Sequence, residues 1–276
     1  MLTTPAVAEL VVASLDHVAQ CAPGSTHPLT VVDLGSGHGV LLAQVDTLLR
    51  ERGRSDVRLI GVDLRPRPDR APASIDWVQA DVREYLASTR VHRGVLIAHE
   101  LLDDVPLVIV ERAEDGVLRR VDADPTTGAQ VLGPLHDDPD DVAWLARWWP
   151  VDRPLARAEV GRSRDALWQQ MLHAVDDGIC IAVDYGHLRD ERIAGTWDGG
   201  TCVGYRAGRA VSPVADGSCN LTAHVAFDAL TAVRAPTDHP VVMNQQSLAG
   251  DGAPDLRIIR AWLGAVAADP GSPMGA

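Results

Sequence analysis

Apolar positions along the chain follow two alternating rhythms, one helical and one strand-like. Pro5 followed by Ala6-Val7-Ala8-Glu9-Leu10-Val11-Val12-Ala13-Ser14-Leu15 has apolar residues at helical spacing and a proline suited to a first turn, which predicts a lead-in helix. Pro23-Gly24 and Pro28 then break the chain before Leu29-Thr30-Val31-Val32-Asp33-Leu34, a β-branched run that ends in glycines and predicts a buried strand entering a tight turn. The alternation continues with a helix from about Val40 to Glu51, a strand Arg58 to Val62, a proline-rich connection and a strand Ile75 to Val78. A short helix Val82 to Thr89 and a strand Gly94 to Ala98 follow. Strands alternating with helices predict an α/β architecture, a doubly wound and mostly parallel sheet covered on both faces. Right-handed crossovers place the C-terminal strand ends along one edge, where ligands bind.

After Pro106 the rhythm changes. Leu107 to Glu111 and Val117 to Val121 flank Asp115-Gly116, a hairpin signal, so antiparallel structure is inserted here. The segment Asp122 to Pro154 reads as an acidic loop plus a short aromatic helix carrying Trp144, Trp148 and Trp149, tryptophans more often used for packing than for recognition. A helix from about Ser163 to Val175 leads back to a buried strand, Gly178 to Val183, which ends in Asp184-Tyr185-Gly186-His187. The glycine-dense stretch Gly195 to Gly217 reads as a long irregular loop of the kind used as a lid. The expectation is one domain over residues 1–263, with cap or lid elements at about 106–160 and 187–220, and a tail over 264–276 that frays.

Composition narrows the function. The 276 residues suffice for a full core. A formal net charge of -13 argues against binding to nucleic acid or to an anionic membrane surface, because both rest on an excess of cationic side chains. All 25 Lys+Arg residues are arginine, which excludes a Schiff-base lysine and a phosphate-loop lysine and makes each arginine weak evidence of anion binding. Cys21, Cys180, Cys202 and Cys219 lack paired spacing and read as reduced thiols. With no signal-peptide order and no apolar run of spanning length, a cytoplasmic location is the expectation. No His/Cys/Asp cluster has metal-ligand spacing and no Gly-x-Ser-x-Gly elbow is present, so metal and acyl-transfer chemistries drop out.

The strongest local signal is VVDLGSGHG. Gly35, Gly37 and Gly39 follow a strand and open a helix, where backbone approaches a ligand closely and helix N–H groups point outward. Asp33 on that strand is costly unless something cationic lies near, such as the ammonium and sulfonium of S-adenosylmethionine. Asp63 ends the next strand, placed for ribose hydroxyls, and Asp81 ends the third, placed for an adenine amino group. Each acid alone is also explained as a helix N-cap or loop-entry residue, and for Asp81 alone that explanation is the stronger. Three at successive strand ends fit nucleoside recognition better. NAD is the nearest rival, disfavoured because the third glycine comes one residue sooner than in G-x-G-x-x-G.

These positions resemble the class I S-adenosylmethionine-dependent methyltransferases. A narrower resemblance, to the MidA-like methyltransferases, is carried by HELLDDVPL, IAVDYGH, GTWDGGTCVGYR and SCNLTAHVAFDAL in that order, across about Pro5 to Leu248. It implies a Rossmann-like methyltransferase fold, with S-adenosyl-L-methionine as donor, S-adenosyl-L-homocysteine as product and a protein arginine side chain as acceptor. A small-molecule acceptor, or a cofactor-binding assembly factor with little turnover, are the alternatives. The implied cofactor set is Asp33, Gly35, Ser36, Gly37, Gly39, Asp63, Leu64, Asp81, Val82 and His99. Glu100 is the first candidate for handling the acceptor, with Asp103 or Asp104 second and His224 as a further base; Asp104, Asp184, Tyr185 and His187 are candidates for the acceptor pocket. Asp104 is as well explained by a turn before Pro106, and Asp184 by a turn with Gly186. His99-Glu100-Leu101 stands where the family has Asn-Glu-Leu, Asn220 and Ala226 depart from its Thr-Ala-His motif, and the chain starts almost at the lead-in helix. These departures bear on the acceptor more than on the cofactor. A homodimer is compatible with the sequence.

Overall fold

The computed structural model describes residues 3–21, 23–233, 242–247, 256–264 and 266. The lead-in helix α1 spans Thr3–Cys21, and β1 follows at Leu29–Leu34, α2 at Val40–Glu51 and β2 at Val57–Asp63. Then come β3 at Ile75–Gln79, α3 at Val82–Ser88 and β4 at Val91–His99. The insertion consists of β5 (Val108–Arg112), β6 (Leu118–Ala123), β7 (Gln130–Leu135), α4 (Pro139–Trp148) and β8 (Arg157–Val160). The chain returns through α5 (Arg162–His173) to β9, a 13-residue strand over Val175–His187, and then α6 (Arg189–Ile193). β10 (Val203–Arg206), β11 (Arg209–Val211), β12 (Asn220–Thr222), β13 (Val225–Ala226) and α7 (Phe227–Thr231) precede β14 (Val242–Ser247) and β15 (Leu256–Leu263).

The main sheet runs in the order β14-β15-β9-β4-β1-β2-β3, with β13 pairing the end of β9. The pairs among β3, β2, β1, β4 and β9 are parallel, whereas β15 joins β9 and β14 joins β15 antiparallel. Alternate residues of one strand serve opposite cores. Val31, Val95, Ile97, Ile179 and Ile181 pack with α1 and α2 on one face, and Val32, Leu96, Ala98, Cys180 and Ala182 pack with α3, α5 and α7 on the other. Each buried aliphatic side chain contributes roughly 1.5–3 kcal/mol, so strands clothed on both faces hold even where β1 must also bury Asp33. Two glycines let the central strands meet. In register, Thr30 lies beside Gly94 and Gly94 beside Gly178; a Cβ on Gly94 would fall 1.8 Å from the Thr30 carbonyl oxygen, and one on Gly178 2.2 Å from the Gly94 oxygen.

The expected hairpin is present as β5 and β6, with Ile109 opposite Val121. It belongs to a larger four-stranded antiparallel sheet in the order β7-β6-β5-β8, packed against α4 through Val110, Ala158 and Trp144. Strand β7 lies where an acidic loop was expected, because Gly133 and Pro134 inside it are tolerated on an edge. The stretch from Gly195 to Gly217 is also corrected: β10 and β11 form a hairpin there, and β12 completes a three-stranded sheet. Its two-residue turn is Ala207-Gly208, both with positive φ (49° and 75°), the geometry that continues strand twist through a tight hairpin. Of the expected tail over 264–276, residues 264 and 266 are described and the rest lies outside the described residues. All four cysteines are free thiols. Among the described residues no helix is long and apolar enough to cross a membrane, and no His/Cys/Asp/Glu group could hold a metal ion.

Candidate active site

The turn after β1 is fixed by backbone hydrogen bonds from Gly35 and Ser36 N–H to the Val62 carbonyl at 2.9 and 3.1 Å, which tie it to the end of β2. Gly35 has φ 68°, and a Cβ there would stand 2.7 Å from Leu101 Cδ1, so this position requires glycine for both conformation and space. The Asp33 carboxylate accepts from the Ser36 hydroxyl at 2.6 Å beneath the turn. Burial pushes its pKa up to about 7, against the lowering effect of the Ser36 hydrogen bond and with a smaller push from Asp63. The two Asp63 oxygens accept from Gly37 N–H (2.7 Å) and Arg65 N–H (2.8 Å). Asp81 caps α3, accepting from Arg83 N–H at 2.7 Å, so its N-cap role is real alongside its place at the strand end.

The acidic stretch after β4 is built from more distant parts. Glu100 takes a left-handed backbone (φ 51°), a conformation that costs a non-glycine residue of order 1–3 kcal/mol and clusters at functional sites. Its N–H donates to Val183 O at 2.8 Å, and Leu102 and Asp103 N–H donate to Asp184 Oδ2 at 2.8 and 3.2 Å. The Asp103 carbonyl accepts from Arg164 Nη2 and from Ala223 N–H, while Asp104 Oδ1 accepts from Asn220 Nδ2 at 2.9 Å. The loop is thus held by β9, α5 and β12 together.

These pieces enclose a cavity of 560 Å³, within the range of about 300–1,000 Å³ for small-molecule sites. Of the residues expected to hold the cofactor, Asp33, Gly35, Ser36, Gly37, Asp63, Leu64, Asp81, Val82 and His99 line it, and so do Glu100 and Asp104. Gly39 does not; it precedes α2 with φ 72° and faces Trp77. Leu101, Val105, Arg65 and Arg83 also line the cavity and were not singled out in the sequence. His99 Nε2 is buried in this wall without a hydrogen-bond partner, 3.6 Å from Glu100 Oε1, and burial lowers its pKa so that the ring stays neutral. A cavity with five carboxyl groups and one buried ring nitrogen still to be satisfied fits a ligand carrying cationic centres and hydroxyls. Asp33, Asp63 and Asp81 would hold S-adenosyl-L-methionine, a molecule with both.

Several acceptor-side candidates lie elsewhere. Asp184 and His187 are fully buried, so neither presents a side chain to a ligand in this cavity. Asp184 is spent on the loop N–H groups, and His187 Nδ1 accepts from Arg192 Nη1 at 2.7 Å with its ring edge-on to Trp149. Asp103 is not among the residues lining this cavity and borders a second one of 260 Å³ instead. Burial and the neighbouring charge of Asp104 push the Asp103 pKa up to about 7, and burial together with the Asp103 charge raises that of Asp184. Tyr185 is half-buried, and His224 stacks near it and packs against Trp197, with ring centroids 6.2 and 5.1 Å apart. Arg164, buried and bonded to the Asp103 and His224 carbonyls, has no distinguishing mark in the sequence, since arginine is this chain's universal cation.

A parallel sheet of this order with two antiparallel strands at one edge, and a cavity at its parallel strand ends, is the class I methyltransferase fold. The family of S-adenosyl-L-methionine-dependent methyltransferases matches residues 6–238, and the chain belongs to it; the MidA-like resemblance falls within this family. A Burkholderia thailandensis protein crystallised with S-adenosyl-homocysteine superposes with a TM-score of 0.75 at 19% identity, covering 97% of this chain and 77% of that one. A second crystal structure from the same organism gives 0.75 at 20%, covering 96% and 80%. Among curated proteins none matches the sequence. The protein is an S-adenosyl-L-methionine-dependent methyltransferase.

Proposed function

We propose that the methyl acceptor is a guanidinium nitrogen of a protein arginine side chain. The observation that carries this is Glu100, held with left-handed backbone in the cavity wall together with Asp104, so that two carboxyl groups from the loop after β4 line the same cavity as the glycine turn. The bound donor supplies a methyl carbon already activated by positive sulfur. What remains for the chain is to desolvate, orient and deprotonate the acceptor. A guanidinium is always charged in water and a poor nucleophile. Glu100 accepts one of its N–H groups, localises electron density on the attacking nitrogen and takes the proton released as the new N–C bond forms. Asp104, held by Asn220, neutralises the remaining charge. Asp184 acts as a positioning residue through the Leu102 and Asp103 N–H groups, and Arg164 through the Asp103 carbonyl.

The test is transfer of tritiated methyl from the cofactor into a cell lysate separated into protein and small-molecule fractions. Label in protein, recovered as methylarginine after hydrolysis, is expected. Label confined to small molecules would move the acceptor to that class, and label in neither despite tight cofactor binding would leave an assembly factor. Glu100→Gln is expected to lower kcat by about 10²–10⁴-fold, the usual contribution of a positioned acid or base, with the cofactor Kd unchanged. A fully active Glu100→Gln enzyme removes Glu100 from this role.

A further inference from the structure

In an extended strand consecutive side chains point to opposite faces, which would keep His99 and Glu100 apart at the end of β4. The left-handed backbone of Glu100 (φ 51°) breaks that alternation, and both residues line the cofactor cavity, with His99 Nε2 3.6 Å from Glu100 Oε1. An N–H···O bond reaches about 3.2 Å, so a small turn of the Glu100 carboxylate closes the gap. Nε2 has no other partner, and a buried polar atom left unpaired costs about 1–3 kcal/mol. The Glu100 charge is also felt by Asp103 and Asp104 of the same loop and by Tyr185 at the end of β9, two carboxyl groups and a phenol, none of them cationic. The charge acting on His99 is that of Glu100.

The sign of that charge fixes the tautomer. A lone pair on Nε2 would face a carboxylate oxygen and be repelled, whereas an N–H there is attracted. Burial keeps the ring neutral against the pull of Glu100. We infer that His99 is a positioning residue for methyl transfer: its neutral ring donates Nε2–H to Glu100 Oε1 and leaves Oε2 to the acceptor, and a proton added to the ring switches the site off. The imidazolium forms a full ion pair with Glu100, draws the carboxylate charge away from the acceptor nitrogen and sets a second cation beside a cationic acceptor. Activity therefore falls with falling pH through a histidine. The part given to Glu100 rests on the function proposed above; the tautomer and the coupling of the two side chains do not.

Two measurements on the full chain test this. In the first, nitrogen-15 spectra of the histidine rings are recorded across pH with S-adenosyl-homocysteine bound, and His99 is assigned by the signals lost in His99→Gln. The expected result is a neutral ring protonated at Nε2, with a titration midpoint that Glu100→Gln lowers by at least about one pH unit, the lower end of the effect of a close opposite charge. A neutral ring protonated at Nδ1, or a midpoint that Glu100→Gln leaves in place, overturns the pairing.

In the second, kcat/KM at saturating cofactor is followed over the same pH range for whichever lysate fraction takes up the methyl label. The parent should lose about tenfold per pH unit below the His99 midpoint, as for one essential deprotonated group. His99→Phe, which has no donor, should lose at least about tenfold on the plateau, the worth of one hydrogen bond to a charged group. His99→Gln donates an amide N–H but takes no proton, so it should recover most of that loss and stay flat where the parent falls. An acid limb that persists in His99→Gln overturns the inference, and this profile decides if His99→Phe does not fold. Label confined to small molecules, with a flat His99→Gln profile, removes the arginine assignment and leaves the role of His99 standing; a fully active Glu100→Gln removes the role of Glu100 and that of His99 with it.

Discussion

At the scale of single residues, the site is governed by which carboxyl groups are spent on the protein and which remain for a ligand. Asp184 accepts three backbone N–H bonds and is consumed by the fold, while the carboxylate of Glu100, only a few residues from two of those donors, stands 3.6 Å from His99 Nε2 without a hydrogen bond to it. Asp63 stands between these cases, since both its oxygens hold N–H groups of the cofactor turns and line the cavity as well. Asp63→Ala is therefore expected to loosen the Gly37 and Arg65 backbone as well as remove a ligand contact. With hydrogen bonds to a charged group worth about 1.5–3 kcal/mol, affinity for S-adenosyl-homocysteine should fall about 10- to 100-fold by calorimetry. An unchanged Kd would show that the strand-two acid is structural only.

At the scale of elements, the position of the loop after β4 depends on how closely β1, β4 and β9 approach. Gly94 occupies the one register position where a side chain would enter the Thr30 backbone, with φ 150° that L-residues rarely adopt. Gly94→Ala must push β4 from β1 and with it the Glu100 loop from the glycine turn. Overpacking of this kind costs about 3 kcal/mol or more, which for a chain of this size lowers Tm by roughly 6–12 °C. Thermal unfolding of the variant checks this, and a Tm within a degree of the parent would mean that the central strands tolerate a wider spacing. The three-stranded sheet of β10, β11 and β12 has a different part: through Asn220 it holds Asp104. Glu159 of β8 grips the preceding segment through the N–H groups of Thr201 and Cys202.

At the scale of the whole molecule, buried ionisable groups make stability depend on pH. Burial pushes Asp33 and Asp103 up to about 7, so the folded protein holds protons that the unfolded chain, with carboxyls near 4, has already lost. Where the native state binds more protons, stability falls as pH rises, and this contribution is lost through about pH 7. The buried rings of His187 and His99 have lowered pKa values and act oppositely, destabilising the fold as pH falls below the unfolded histidine value near 6.5. Above that value the histidines are neutral in both states and only the acids titrate. Tm is expected to fall between pH 6.5 and 8, and the Asp33→Asn variant should flatten that slope. A Tm that rises across this interval would mean that these acids are ionised in the native protein.

Local pattern determined the doubly wound core and the strand-end residues proposed to hold the cofactor. The strand and helix rhythms depend on near neighbours, and Asp33, Gly35, Asp63 and Asp81 sit at the junctions between them, where chain direction alone brings them to one edge. The hairpin at Ala207-Gly208 is not legible in the sequence because alanine is not a residue that advertises positive φ, nor is β7, an exposed edge strand containing proline. Tertiary structure alone decided which carboxyl groups of the loop after β4 line the cavity. Whether Glu100, Asp103 or Asp184 faces a ligand depends on Arg164, Asn220 and the end of β9, segments brought together from tens of residues apart. A carboxyl group's hydration and hydrogen bonds are set by what packs around it, and no pattern of adjacent residues carries that information.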